Sequence, residues 1–224
     1  MPIDPSKALG AELGEGQYSW TQDDVILYHL GIGAGVPATD EGELAYAYEK
    51  NLKVLPSFGV IPVFGAMGGM GKVEGLSFNF AMLLHGEQDI TLHKPLPAAA
   101  TVNNRSRVAE IWDKGKAALC VLEVESSDEA GEPLFTNRFS LFLRGEGGFG
   151  GERCLRFDGM PTYRALPNGS LNLRCFSTVA LIDSAVRPIS TTASTARPAS
   201  PELGTSAAGQ TLPVFTSQVV TRLY

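Results

Sequence analysis

The sequence predicts an α+β domain over residues 1–152, an antiparallel sheet wrapped around one buried apolar helix, followed by a low-complexity tail over 153–224. Three observations carry this expectation. Helical signals occupy the first fifty residues, residues 55–71 are too apolar to lie at a surface, and from Gly86 the pattern switches to a period of two that runs to Arg144. After the glycine run Gly145-Glu146-Gly147-Gly148-Phe149-Gly150-Gly151 the patterning collapses into Ser, Thr, Ala, Pro and Arg, and lysine disappears.

The elements follow in order. Residues 1–15 read as an extended arm. Ser19-Trp20-Thr21-Gln22-Asp23-Asp24 is a helix start: Thr21 is placed to cap Asp24, and the acids suit the positive helix end. Val25, Ile26, Leu27 and Leu30 supply the apolar set of that helix, and Gly31, Gly33 and Gly35 end it. A second helix is predicted over 40–49. The stretch from Leu55 to Gly71 is read as the buried central helix, with Pro62 tolerated near its first turn. Strands follow over 89–93 and 101–112. A hairpin pairs 116–125 with 132–144 through the turn Asp128-Glu129-Ala130-Gly131, and Asp113-Lys114-Gly115 makes the turn before it. Phe135, Asn137, Phe139, Leu141 and Leu143 share one face of the last strand.

Composition narrows the class. The chain of 224 residues has 44% hydrophobic residues and a net charge of −6, which argues against nucleic acid as a partner. No apolar run is long enough to cross a bilayer, and the start of the chain shows no basic region followed by an apolar core, so neither a membrane span nor a secretory leader is expected. Cys120, Cys154 and Cys175 are odd in number and form no C-x-x-C pair, which excludes a disulfide framework and a zinc site of the usual spacing. A reducing, cytoplasmic setting is expected. Cys120, inside an apolar strand, reads as a small core residue.

Five stretches together carry a family resemblance: Asp24-Val25-Ile26-Leu27-Tyr28-His29-Leu30-Gly31-Ile32-Gly33-Ala34-Gly35, Val54-Leu55-Pro56-Ser57-Phe58-Gly59-Val60-Ile61, Leu84-His85-Gly86-Glu87-Gln88, Trp112-Asp113-Lys114-Gly115-Lys116-Ala117, and the run from Arg144 to Gly151. In order and spacing they resemble the N-terminal half of the (R)-specific 2-enoyl-CoA hydratases, the MaoC-like dehydratase group, over roughly residues 3–152. The resemblance implies a double hot dog, two related units that each wrap an antiparallel sheet around a long helix. It implies addition of water to a trans-2-enoyl-CoA, with acyl-CoA as substrate and no cofactor. The family's catalytic Asp and His lie in the other half, in a motif of the form Y-x-L-S-G-D-x-N-P-L-H. The nearest echo here is Tyr28-His29-Leu30-Gly31-Ile32-Gly33, which puts Gly33 where the Asp stands. No catalytic residue and no metal ligand is therefore assigned to this chain.

The resemblance gives the degenerate half the task of making room for the acyl chain, and Phe58, Val60, Met67 and His85 are the candidate pocket residues. His85 and Glu87, two apart in a strand, share a face and are geometrically suited to an acid–base pair. The resemblance places the chemistry elsewhere, so His85 is assigned a structural or pocket-edge role. Met67, Met70 and Met82 suit an adaptable apolar pocket or ordinary core packing. His93 is read as solvent-facing, and His29 as a helix residue with no metal. The glycine run follows a strand but opens no helix and has no lysine, so it reads as a linker and not as a phosphate cradle. The expected partners are a second hot-dog domain or another copy. Residues 153–224 read as a disordered natural tail or as a stretch translated out of frame.

Overall fold

The computed structural model describes residues 3–151 and the backbone of two further strands at 162–165 and 171–176. A short helix α1 (Pro5–Ala8) leads into strand β1 (Glu12–Trp20) and helix α2 (Gln22–Gly31). Helix α3 (Glu41–Leu44), three 3-10 segments (Pro56–Val60, Phe64–Lys72, Phe80–Met82) and strand β2 (Leu83–Leu92) follow. The sheet continues with β3 (Ala100–Asp113), β4 (Ala117–Ser127), β5 (Pro133–Arg144), β6 (Thr162–Ala165) and β7 (Leu171–Phe176). Its order is β1-β3-β4-β5-β2-β7-β6, and every neighbouring pair is antiparallel.

The strand reading and both turns hold. Gly115 and Gly131 take φ of 82° and 83° in the two turns, and Asp128 Oδ1 accepts from the amides of Ala130 and Glu132 to close the second. On β5, Phe135, Asn137, Phe139, Leu141 and Leu143 are buried together, as the alternation requires. Residues paired across the sheet share a face, so Leu122, Phe139 and Gln88 stand in one row on the concave side. The outer side carries a cross-strand row of ion pairs, Arg107 with Glu123 and Arg138 with Glu123 and Glu110.

Four elements differ from the sequence reading. The predicted arm over 1–15 holds α1 and the first four residues of β1. Asp4 caps α1 by accepting from the Ser6 amide, and the isolated bridge from Ile3 to Leu76 ties this start to the body. The predicted helix over 40–49 stops after one turn at Leu44. In α2 the cap works as a box, with the Asp24 carboxylate accepting from both the amide and the hydroxyl of Thr21. The buried face of α2 is Val25 and His29, however, while Leu27 and Leu30 are 71% and 54% exposed.

The fourth difference lies at the centre. Residues 55–71 pack against the sheet through Leu55, Phe58, Val63, Ala66 and Met70, all buried, but as two 3-10 segments and not one α-helix, and Phe64 is exposed. Pro62 lacks the amide an α-helix needs, and the five glycines Gly59, Gly65, Gly68, Gly69 and Gly71 weaken it further. The concave face of the sheet compensates for the missing intrahelical bonds. Asn137 Nδ2 donates to the Gly59 carbonyl at 3.0 Å, Asn104 Nδ2 to Pro62 at 2.7 Å, and Ser106 Oγ to Ala66 at 2.5 Å. The second segment also packs directly on β1: a Cβ at Gly69 would stand 1.6 Å from the Leu13 carbonyl oxygen.

The low-complexity reading of 153–224 meets two strands, β6 and β7, within that span, and β7 pairs with β2 from Leu92 to Glu87. The expectations for the remainder of the tail, Cys154 and Cys175 included as side chains, lie outside the described residues.

Candidate functional site

The four candidate pocket residues divide between two places. Phe58 is 1% exposed, and its ring is packed in the core between Trp20 at 5.6 Å and Tyr28 at 5.5 Å between centroids. Val60 and Met67 are half-buried and pack against the same core from the two 3-10 segments. His85 meets the same core at another point, on Phe139. Its ring lies 5.8 Å from that of Phe139, which in turn meets Phe64 edge-on at 6.2 Å. Phe64 is 56% exposed. An aromatic line thus runs from solvent, through Phe64 and Phe139, to His85 on the concave face.

The pairing of His85 with Glu87 does not survive in three dimensions. The ladder of β2 with β5 shifts between these residues, so that His85 stands opposite Leu141 and Glu87 opposite Ser140. Leu141 and Ser140 are consecutive in β5 and point to opposite faces. Gly86 is the inserted residue of a bulge, and it turns Glu87 away from the concave side. His85 faces the apolar interior, and burial lowers its pKa, opposed by the Glu87 backbone and the Gln88 side chain.

Sequence reasoning missed a polar row on the concave face. Gln88 Nε2 donates to Asn137 Oδ1 at 2.8 Å, while Asn137 Nδ2 donates to the Gly59 carbonyl. Ser126 Oγ donates to Asn104 Oδ1 at 2.6 Å, and Asn104 in turn holds Pro62. The signal was present: Asn104, Ser106, Ser126 and Asn137 occupy core positions of strands whose other core positions are Val, Leu and Phe. A polar residue there implies a buried partner.

The other singled-out residues are structural. His29 is fully buried; its Nδ1 donates to the Tyr46 carbonyl at 2.6 Å and its Nε2 accepts from the Leu55 amide at 3.1 Å. Both ring nitrogens are used, which fixes a neutral tautomer. Burial lowers its pKa, partly offset by the bond to Tyr46. His93 hydrogen-bonds Thr136 Oγ1 at 2.9 Å. Cys120 is a buried thiol whose pKa burial pushes up to about 12. The glycine run is held by Asp113, whose carboxylate accepts from the amides of Gly115, Gly148 and Gly150 at 2.7, 2.9 and 2.8 Å. These amides are occupied by the protein's own carboxylate, the reverse of a phosphate cradle, and they lower the Asp113 pKa. A hollow of about 860 Å³ on the sheet's outer side, lined by Glu15, Gln17, Asn103, Arg105, Glu125 and Thr136 among others, contains none of the four candidates. Among the described residues no helix is long and apolar enough to cross a membrane.

Comparison with known proteins agrees with this architecture. The family model "MFE-2 hydratase 2 N-terminal domain" matches residues 18–145. Enoyl-CoA hydratase ChsH3 of Mycobacterium tuberculosis is 38% identical over 155 residues, covering 68% of this chain and 54% of that protein. Mouse peroxisomal multifunctional enzyme type 2 is 40% identical over 148 residues, 65% of this chain and 20% of the much longer enzyme. Among solved structures, a MaoC-like dehydratase from Phytophthora capsici superposes with a TM-score of 0.58 at 25% identity, covering 71% of this chain and 56% of that one. The chain spans about half the length of relatives such as ChsH3. With the hot-dog sheet, the motif order and the family match in agreement over the same residues, the chain belongs to the family of MFE-2 hydratase 2 N-terminal domains.

Proposed function

We propose that this chain is the acyl-binding half of a two-unit (R)-specific 2-enoyl-CoA hydratase acting in fatty-acyl or sterol side-chain degradation. The reaction adds water across the double bond of a trans-2-enoyl-CoA and needs no cofactor. A base takes a proton from water, the oxygen attacks the β-carbon, and the resulting thioester enolate is stabilised by hydrogen-bond donors before the α-carbon is protonated. On this reading a second hot-dog unit supplies the proton-transferring Asp and His, on this or another polypeptide. This half receives the acyl chain on its concave side.

The observation that supports the reading is the run of ring contacts from the exposed Phe64, through the buried Phe139, to His85, which makes the concave side of this half apolar and aromatic. It is joined by the separation of His85 from Glu87 across the Gly86 bulge, which removes the pairing the sequence offered for proton transfer. Leu27, Leu30 and Val36, exposed by 71%, 54% and 73%, supply an apolar surface suited to the second unit. A reducing, cytoplasmic setting is part of the same proposal and accords with the buried free thiol of Cys120.

Hydration of crotonyl-CoA and of a long-chain enoyl-CoA by the purified chain, followed by loss of enoyl absorbance, tests the division of labour. General acid–base catalysis alone contributes about 100- to 10,000-fold, so the chain is expected to show no turnover above background. Turnover at ordinary enzyme rates would place the chemistry in this half and overturn the proposal.

A further inference from the structure

The body of the sheet, β1 to β5, has two edges, β1 and β2. β5 pairs with β2 from Leu83 to Leu92. On the other side of β2 stands β7, paired over Glu87 to Leu92, with β6 beyond it. An uncovered edge presents a row of unpaired N–H and C=O groups and takes up a strand of another chain unless something blocks it. The β6–β7 hairpin stands where such a strand would add.

The register matches β7 to this edge. Leu171 and Leu173 stand opposite Leu92 and Ile90, two buried residues of the concave face. Arg174 stands opposite Asp89 and so extends a cross-strand row of alternating charge, Arg107, Glu123, Arg138 and Asp89. The same stretch of β2 is also complementary to itself. Two copies related by a two-fold axis at Ile90 run antiparallel, with Ile90 opposite its own copy, Asp89 opposite Thr91, Gln88 opposite Leu92 and Glu87 opposite His93. Each of these pairs is an even number of residues apart and therefore lies on one face of the joined sheet, and no two like charges meet.

We propose that the β6–β7 hairpin is an intramolecular cap on β2, and that the edge it covers pairs with the same edge of a second copy of this chain when the hairpin is released. The inference concerns assembly and is independent of the acyl-binding reading. It gives Thr162–Ala165 and Leu171–Phe176 a task in a span that composition marks only as a tail.

The test is hydrogen–deuterium exchange of the full chain over a dilution series, read at the amides of Glu87 to Leu92, with the mass followed by light scattering. Asn172→Pro together with Leu173→Pro removes two successive amides of β7. Successive amides point to opposite neighbours, so one of the two faces β2. Arg174→Asp, made separately, sets an acid opposite Asp89 and leaves the β7 backbone intact. Protection of Ala117–Ser127 on β4, two strands removed from the hairpin's partner, reports that the body stays folded. In the unaltered chain, exchange at Glu87 to Leu92 should be slow at every concentration. In the variants it should be about tenfold faster in dilute solution, the effect of losing about 1.4 kcal/mol of pairing, and should slow again as concentration rises and the mass doubles. Fast exchange at Glu87 to Leu92 in the unaltered chain overturns the proposal, because the edge is then uncapped. Folded variants that exchange there as slowly as the unaltered chain when dilute overturn it as well. So does association of the variants without recovery of protection at Glu87 to Leu92, which places the contact on another face.

Discussion

His29 shows how one side chain ties distant segments together. From helix α2 it reaches the carbonyl of Tyr46 and the amide of Leu55, the residue that precedes the first 3-10 segment. Protonation would set a second N–H against the Leu55 amide, leaving that amide unsatisfied at a cost of about 1–3 kcal/mol. Its folded pKa lies below the usual histidine value because of burial. The unfolded chain therefore binds the proton more readily, and the stabilisation is complete above about pH 6.5 and is lost as pH falls toward the folded value. Chemical denaturation at a series of pH values should show stability falling below pH 6.5, with the fall smaller in His29→Gln. Identical pH profiles for the two proteins would contradict this role. His85 is depressed by burial in the same direction, so the difference between the two profiles, and not the unaltered profile alone, isolates His29.

At the scale of elements, the central segment is held by the sheet and not by its own backbone. Asn137, Asn104 and Ser106 each donate to one of its carbonyls, and Gly69 lets it close on β1. A methyl at Gly69 would meet the Leu13 carbonyl oxygen at 1.6 Å and its carbon at 2.6 Å, both backbone atoms that cannot swing aside. Gly69→Ala is expected to destabilise the fold by about 3 kcal/mol, the upper part of the range for overpacking. Gly68→Ala, whose new methyl meets nothing within 4 Å, should change stability by less than about 0.5 kcal/mol. Urea unfolding midpoints of the two variants measure this directly, and equal midpoints would remove the close approach of the segment to β1 from the account. The same region marks the limit of legibility in the sequence. Apolar content showed that residues 55–71 are buried, because burial follows composition. It did not show their hydrogen bonding, because the partners are Asn and Ser residues forty to eighty positions away. The strands were legible from Phe135 to Leu143 because alternation is local, whereas the Gly86 bulge was not. A single inserted residue leaves the pattern of Leu84-His85-Gly86-Glu87-Gln88 looking regular while it reverses the face of Glu87.

At the scale of the molecule, the described residues give a polar outer sheet face and a concave face closed by 3-10 turns, with Leu27, Leu30, Val36, Phe64, Phe80 and Met82 among the exposed apolar side chains. Asp113 gathers the glycine run against the turn it starts, so the chain leaves β5 along a fixed path as far as Gly150. Family membership was legible because five motifs stand in order over most of the domain, and the candidate site was legible only in part. His85 is legible from its motif, while the hydrogen bond of Gln88 to Asn137 is not, because it depends on cross-strand neighbours. The central claim is that this half binds an acyl thioester and leaves its chemistry to another unit. Titration of the full chain with a long-chain trans-2-enoyl-CoA in the calorimeter, followed by chromatography of the recovered ligand, tests both parts at once. The account predicts saturable binding with the enoyl-CoA recovered unchanged. Recovery of the 3-hydroxyacyl product, or the absence of any binding, would contradict it.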